Sequence, residues 1–149
     1  MLTLRRTTSD DPAFRQLVSE LDHDLAIRNG ETNAFFAQYN TIDLIRHVVI
    51  AFDGNEPAGC GAMKEYDAQT MEIKRMFVRP ALRGKGIARK VLEELHQWAA
   101  SLGYTRCILE TGQKMPEAIA LYTKSQYRVI PNYGQYEGIA SSICFERML

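Results

Sequence analysis

Lys74, Arg75, Arg79, Arg83, Lys85, Arg89 and Lys90 stand close together, and no acidic residue interrupts the chain from Ile73 to Leu92. Within this run lies Arg83-Gly84-Lys85-Gly86, directly before residues with helical spacing. The chemistry that such residues share is anion binding. A strand that ends in a glycine-bearing loop and runs into a helix offers unpaired backbone N–H groups beside a positive helix end. Gly84 and Gly86 let the backbone approach a ligand closely and can adopt positive φ. The flanking cations add charge-assisted hydrogen bonds.

Three kinds of phosphate loop compete for this stretch. A P-loop requires Gly-Lys-Ser/Thr, but Ile87 follows Gly86 and no hydroxyl is placed to hold magnesium. A dinucleotide fingerprint requires a third glycine in register and a position near the start of the fold, and both are missing. The remaining pattern is Arg83-Gly84-Lys85-Gly86-Ile87-Ala88.

The elements that must carry this loop can be read on either side of it. "LTLRRTT" suits a first strand. Asp10, Asp11 and Pro12 supply N-cap and first-turn chemistry for a helix with Phe14, Leu17, Val18, Leu21 and Leu25 on one face, ending near Asn29 and Gly30. "ETNAFFAQYNTID" reads as a second, shorter helix. "RHVVIAFD" and "EPAGCGAMKEY" flank Gly54-Asn55 as a hairpin. "QTMEIKRMFV" is the next strand, closed by Arg79 and Pro80. From Lys85 onward Ile87, Val91, Leu95, Trp98 and Leu102 define a helical face that Gly103 ends. "TRCILET" is a strand, "KMPEAIALYTKS" a helix opened by Pro116 and Glu117, and "YRVI" and "SSICFERML" are closing strands joined by "PNYGQYEGI".

Composition limits what this assembly can be. The chain has 149 residues with no linker or repeat, so one domain over residues 1–149 is expected. Eighteen basic residues balance eighteen acidic ones, which leaves no long-range pull on nucleic acid or an anionic membrane. Neither is expected as a partner; a homodimer stays open. Cys60, Cys107 and Cys144 are odd in number and embedded in apolar segments, which suits buried fillers in a reduced, cytoplasmic protein. There is no apolar leader and no run of about eighteen apolar residues, so a soluble, unanchored chain is expected. His23, His47 and His96 lack metal-ligand spacing, and no metal is expected.

The hexapeptide Arg83 to Ala88 resembles the Arg/Gln-x-x-Gly-x-Gly/Ala signature of the GCN5-related N-acetyltransferase (GNAT) family. "EIKRMFVRPALRGKGIARKVL" is similar to that family's strand, loop and helix, and "PEAIALYTKSQY" to its later A-I-x-L-Y-x-x-x-G-F segment. The resemblance runs from about His47 to Ile130; the first forty residues match only in the order of their elements. It implies an α/β (α+β) fold of one domain, with a mixed, mostly antiparallel sheet flanked by helices. It also implies acetyl-CoA as cofactor, its pyrophosphate on Arg83, Gly84, Lys85, Gly86, Ile87 and Ala88 and its thioester beside Met76, Phe77 and Val78, where the strand bulges and leaves its neighbour. Two positions depart from the family pattern. Met115 stands where an asparagine is common, and Gln126 stands where glycine is common, at a helix exit that favours positive φ at a cost of roughly 1 kcal/mol for other residues.

Transfer of an acetyl group to an amine needs a deprotonated nucleophile. An alkyl amine with a pKa near 10.4 is neutral at pH 7 about once in 10³ molecules, a deficit of roughly 4 to 5 kcal/mol, so a base helps. The resemblance implies Glu72, which alternation would place on one strand face with Lys74 and Met76. Glu110, at the end of the next strand, is a second candidate. Tyr122 matches the family's general acid for the departing sulfur. The family lines its acceptor site with the first two helices and the final hairpin, here Asp22, His23, Asp24, Phe35, Tyr39 and Asp43 on one side and Tyr133 and Tyr136 on the other. Aromatic residues with scattered acids suit the primary amine of a small molecule. A non-catalytic acyl-CoA sensor and an enzyme acting on a protein or peptide amine are the alternatives; Glu72 and Tyr122 together favour catalysis.

Overall fold

The computed structural model describes residues 1–30 and 44–149. The expected second helix, with Phe35, Tyr39 and Asp43, lies outside the described residues. The chain begins with strand β1 (Leu2–Thr7) and helix α1 (Pro12–Asn29), whose N-cap Asp11 accepts a hydrogen bond from the Ala13 amide and whose end is Gly30 at φ 55°. Strands β2 (His47–Asp53), β3 (Glu56–Asp67) and β4 (Thr70–Val78) follow as an antiparallel meander. A 3₁₀ turn (Pro80–Leu82) leads to α2 (Ile87–Ser101), then β5 (Arg106–Gly112), α3 (Pro116–Lys124), β6 (Arg128–Ile130) and β7 (Ser142–Met148).

The strands form one sheet in the order β1-β2-β3-β4-β5-β7-β6. Every pairing is antiparallel except β4 with β5, which is parallel. This is the mixed, mostly antiparallel α+β arrangement expected from the sequence. Helix α1 covers one face, where Phe14, Leu17, Val18 and Leu21 pack on Val48, Ile50, Cys60, Ala62 and Phe77. Helices α2 and α3 cover the other, where Val91, Leu92, Leu95 and Tyr122 meet Val49, Met63, Met71, Ile73, Leu109 and Phe145. Burial of these apolar side chains from both sheet faces is the main force holding the layers together.

Two irregularities of β4 create the site. Its pairing with β5 covers only Thr70–Glu72 opposite Arg106–Ile108, and beyond that the two parallel strands part. Against β3, Cys60 lies opposite Phe77 while Ala62 lies opposite Lys74, so Gly61 faces both Arg75 and Met76. This is a β-bulge with Arg75 as the extra residue, at φ 59°, a left-handed conformation that costs a non-glycine residue roughly 1 kcal/mol. The expectation that Glu72, Lys74 and Met76 share a face is therefore corrected. Glu72, between the α2-facing Met71 and Ile73, points to the α1 face, whereas Met76 packs on the α2 face. A Cβ on Gly61 would lie 2.4 Å from Met76 Sδ and 3.0 Å from Leu95 and Val91 side chains, so only glycine leaves room for Met76 there.

The α2 face holds as expected at Ile87, Val91, Leu95 and, half-buried, Trp98, but Leu102 is 47% exposed. The helix ends at Ser101 and Gly103 turns at φ 94°, which carries Leu102 off the face. Gln126 does occupy the positive-φ exit after α3, at 71°.

Candidate active site

Gly86 is the N-cap of α2 in the left-handed region at φ 79° and brings no capping side chain. The first-turn amides after it, from Ile87 to Arg89, have no carbonyl within the helix to bond. Gly84 is also left-handed, at φ 82°, and a Cβ on either glycine would meet nothing within 4 Å. The loop therefore presents bare backbone to a groove between α2 and α3 that is lined also by Val78, Leu82, Ala118 and Leu121 and encloses about 490 Å³, a size typical of small-molecule sites. Met76, Phe77, Val78, Arg83, Gly84, Gly86, Ile87 and Ala88 all line this groove. Lys85 sits in the loop without lining it.

Apart from Lys74, the cations divide into two groups. Helix α1 engages Arg75 through Asp22 at 2.6 Å, Arg79 through Glu20 at 2.9 Å, and Arg83 more loosely through Asp24 at 3.9 Å. Arg83 also donates through Nε to the Val78 carbonyl at 2.9 Å, which fastens the loop to the end of β4. Lys85, Arg89 and Lys90 have no ion pair among the described residues. The lack of acids in the local sequence is thus made good from α1, more than fifty residues away for Arg75 and Arg79.

Where β4 and β5 part, a cleft opens between Ile73–Met76 on one strand and Glu110–Gly112 on the other, with Tyr122 reaching it from α3. Tyr122 lines both cleft and groove, so it stands where they meet. It is buried, with its ring edge-on to Tyr127 at 5.7 Å, and burial together with the nearby Glu110 charge pushes its phenol up and keeps it protonated. Met115 lines both spaces too and accepts a contact from Arg28 Nη1 at 3.2 Å; Arg28 is also paired with Glu117.

Glu72 is 7% exposed and accepts a 2.7 Å hydrogen bond from the Tyr133 hydroxyl. Tyr133 lies edge-on to Tyr136 at 5.7 Å and to Tyr66 at 5.4 Å, so the loop between β6 and β7 roofs this end of the sheet. Glu110 projects from β5 on the same face as Glu72; burial pushes its carboxyl above the ordinary range, the Glu72 charge adds to that and Lys74 opposes it. Lys74, largely withdrawn from water, is pushed down by burial against the pull of the two glutamates. The structure thus gathers Glu72, Glu110, Tyr133 and Tyr136 near one another, and of these four Glu110 lines the cleft.

Of the acceptor residues expected on the other side, Asp22 and Asp24 are engaged by arginines as above, His23 is exposed, and Phe35, Tyr39 and Asp43 lie outside the described residues. Tyr66, at the end of β3, escapes the sequence reading, and Arg75 reads there only as one of the cluster of cations, because its place depends on a bulge that no local pattern encodes. All three cysteines are buried, and burial raises Cys60 and Cys107 to about 12 and Cys144 to about 11, so they stay as thiols. No group of three or more potential metal ligands occurs among the described residues.

The chain is similar to known proteins along most of its length. The model of the Acetyltransferase (GNAT) family matches residues 11–127. An IAA acetyltransferase of Azospirillum brasilense is 30% identical over 150 residues, covering 99% of this chain and 98% of its own. A Klebsiella pneumoniae protein, provisionally named an acyl-CoA N-acyltransferase, superposes with a TM-score of 0.82 at 26% identity over 100% of this chain and 98% of that one. A GNAT family acetyltransferase of Elizabethkingia anophelis with acetyl-CoA bound shares the fold, with a TM-score of 0.69 at 18% identity over 99% and 98% of the two chains.

Proposed function

The chain belongs to the GNAT family and is an N-acetyltransferase, and from that premise we propose that it moves an acetyl group from acetyl-CoA to the primary amine of a small molecule. The observation that carries the reading is the course of β4. One end of the strand delivers the bare-backbone loop at the start of α2, and the other holds Glu72 beneath Tyr133, with the β4–β5 cleft between them. A pyrophosphate fits the open amides of Ile87 and Ala88 and the backbone of Arg83 to Gly86, with Arg83 and Lys85 as flanking charge. The pantetheine arm fits the groove, with the thioester beside Met76 to Val78 on the edge of β4 that β5 has left.

When bound, acetyl-CoA supplies an activated acetyl thioester. The chain does the rest. Glu72 takes the proton that the acceptor ammonium must lose, with Glu110 as second carboxylate, and the freed nitrogen forms its bond to the acetyl carbon as the carbon–sulfur bond breaks. Free N–H groups of the β4 edge bond the acetyl oxygen as it gains charge; such a donor is worth about 10²- to 10³-fold in rate. Tyr122, kept protonated by its burial, donates its proton toward the leaving sulfur. A buried carboxylate under an aromatic roof admits a slender amine more readily than a folded protein surface, which supports a small acceptor.

The test is calorimetric titration of acetyl-CoA into the wild type and Gly86→Glu, followed by a thiol-release screen over small amines, polyamines, amino acids and peptides. Micromolar binding lost in the variant, with thiol release on a small amine, is expected. Binding without release on any amine would favour an acyl-CoA sensor, release on peptides alone would move the acceptor to a protein, and no wild-type binding would overturn the cofactor reading.

A further inference from the structure

Arg75 combines a left-handed backbone with a buried, charged side chain. Its side chain is 3% exposed, its Nη1 donates to Asp22 Oδ1 at 2.6 Å, and its Nη2 is buried with no hydrogen-bond partner among the described residues. Asp22 is half exposed and meets the guanidinium through one nitrogen only. The backbone beneath is left-handed, where glycine would fit without strain, yet the position carries the largest cationic side chain available. A buried guanidinium with one edge unused carries a desolvation cost that an oxyanion on that edge would offset.

Arg75 also lines the cleft with Lys74, Glu110 and Tyr122. Glu110 lines this space, and Glu72 projects from the same face of the sheet near enough for its charge to act on Glu110, so this end suits an ammonium. The bulge puts the opposite charge three residues farther along the same strand. A guanidinium fork matches a carboxylate in plane and in spacing.

We propose that the acceptor carries a carboxylate as well as its amine, and that Arg75 binds this carboxylate through Nη2 within the β4–β5 cleft. The acceptor is then an amino acid, with its amine toward Glu72 and its acid toward the bulge. Three residues of extended strand span about 10 Å, so the two groups are set apart, and an ω-amino acid fits better than an α-amino acid. The proposal rests on the reading of this cleft as the acceptor site.

The experiment measures thiol release by the wild type, at saturating acetyl-CoA, on ω-amino acids of increasing chain length, each paired with its own primary amide and with the aminoalkylphosphonate of matching length. Arg75→Lys and Arg75→Gln are measured on the same pairs, with acetyl-CoA affinity followed by calorimetry. The expected result is a kcat/KM about 10- to 100-fold higher for the best carboxylate than for its amide, a ratio that falls to near one in Arg75→Gln and is partly kept in Arg75→Lys. Equal rates on acid and amide in the wild type would overturn the proposal while leaving the amine acetyltransferase intact. A preference for the acid that survives in Arg75→Gln would overturn the role of Arg75, and a preference for the phosphonate would replace the carboxylate as the anion. Should Arg75→Gln fail to fold, shown by lost acetyl-CoA binding, Arg75→Lys carries the test, and an acid-to-amide ratio there equal to that of the wild type would overturn the role of Arg75. Wild-type binding without release on any small amine would sink the underlying reading, and this inference with it.

Discussion

The Tyr133 hydroxyl donates to Glu72 Oε2 at 2.7 Å across 61 residues of sequence, tying the loop before β7 to β4 near its start. The bond fixes the carboxylate that the proposed mechanism uses as base. Glu72→Gln is expected to lower kcat/KM by about 10²-fold or more at neutral pH, and Tyr133→Phe by about 10-fold, because a buried carboxylate loses its donor. Glu110→Gln should cost less than Glu72→Gln. Steady-state thiol release with each variant checks the order, and a larger loss in Glu110→Gln would exchange the two roles.

Gly86 and Gly103 make a controlled pair, since both are left-handed and neither has an atom within 4 Å of an added Cβ. Alanine at either position should cost about 1 kcal/mol of stability. Only Gly86→Ala places its methyl in the groove, and only that variant should weaken acetyl-CoA binding, by about 10-fold. Urea melts and calorimetry on the two variants separate the effects.

His96 is 4% exposed, with Nε2 2.6 Å from Tyr127 Oη and Nδ1 3.0 Å from Arg147 Nη1. Arg147 can only donate, so Nδ1 accepts and Nε2 carries the proton toward the tyrosine oxygen. Burial, then the Arg147 charge, pushes the imidazole from 6.5 down to about 4. The unfolded chain therefore binds the extra proton first as pH falls. The associated stability is complete above pH 6.5 and is lost as pH falls toward about 4, a contribution of roughly 3 kcal/mol. Urea midpoints between pH 7 and pH 4 should fall more steeply in the wild type than in His96→Gln, where only the other titratable groups are left.

Gln126 holds φ 71° at the exit of α3. Gln126→Gly should raise stability by about 0.5 to 1 kcal/mol, the relief of left-handed strain exceeding the added freedom of the unfolded chain. Chemical denaturation measures it, and a loss of stability would show that the Gln126 side chain contributes more than its backbone costs.

What was legible in the sequence was mostly local. Asp11 and Pro12 at the start of α1, Gly54 in the hairpin, Gly103 after α2 and the two glycines of the loop each announce a backbone requirement at their own position, and each is met there. The hydrophobic spacing of Ile87, Val91 and Leu95 needs nothing beyond the helix itself. The distant relationships were not legible. Arg75 and Arg79 read as part of a free cationic cluster because their partners, Asp22 and Glu20, belong to a helix far back in the chain. The faces of β4 were misassigned after Lys74 because alternation is a property of regular pairing, and the bulge exists only in the register with Gly61. Tyr66 gained its place from the loop that folds over it.

The bulge also has a meaning for how such a site can arise. Without Arg75, β4 would alternate regularly, and Met71, Ile73, Met76, Phe77 and Val78 would all keep the faces they now occupy. The hydrophobic plan of the strand is indifferent to that one residue. A single inserted codon could therefore have converted an unbroken ladder into a kinked one with a buried guanidinium at the kink, leaving the core unaware of the change. Length, rather than composition, would be the variable on which selection acted at this point of the chain.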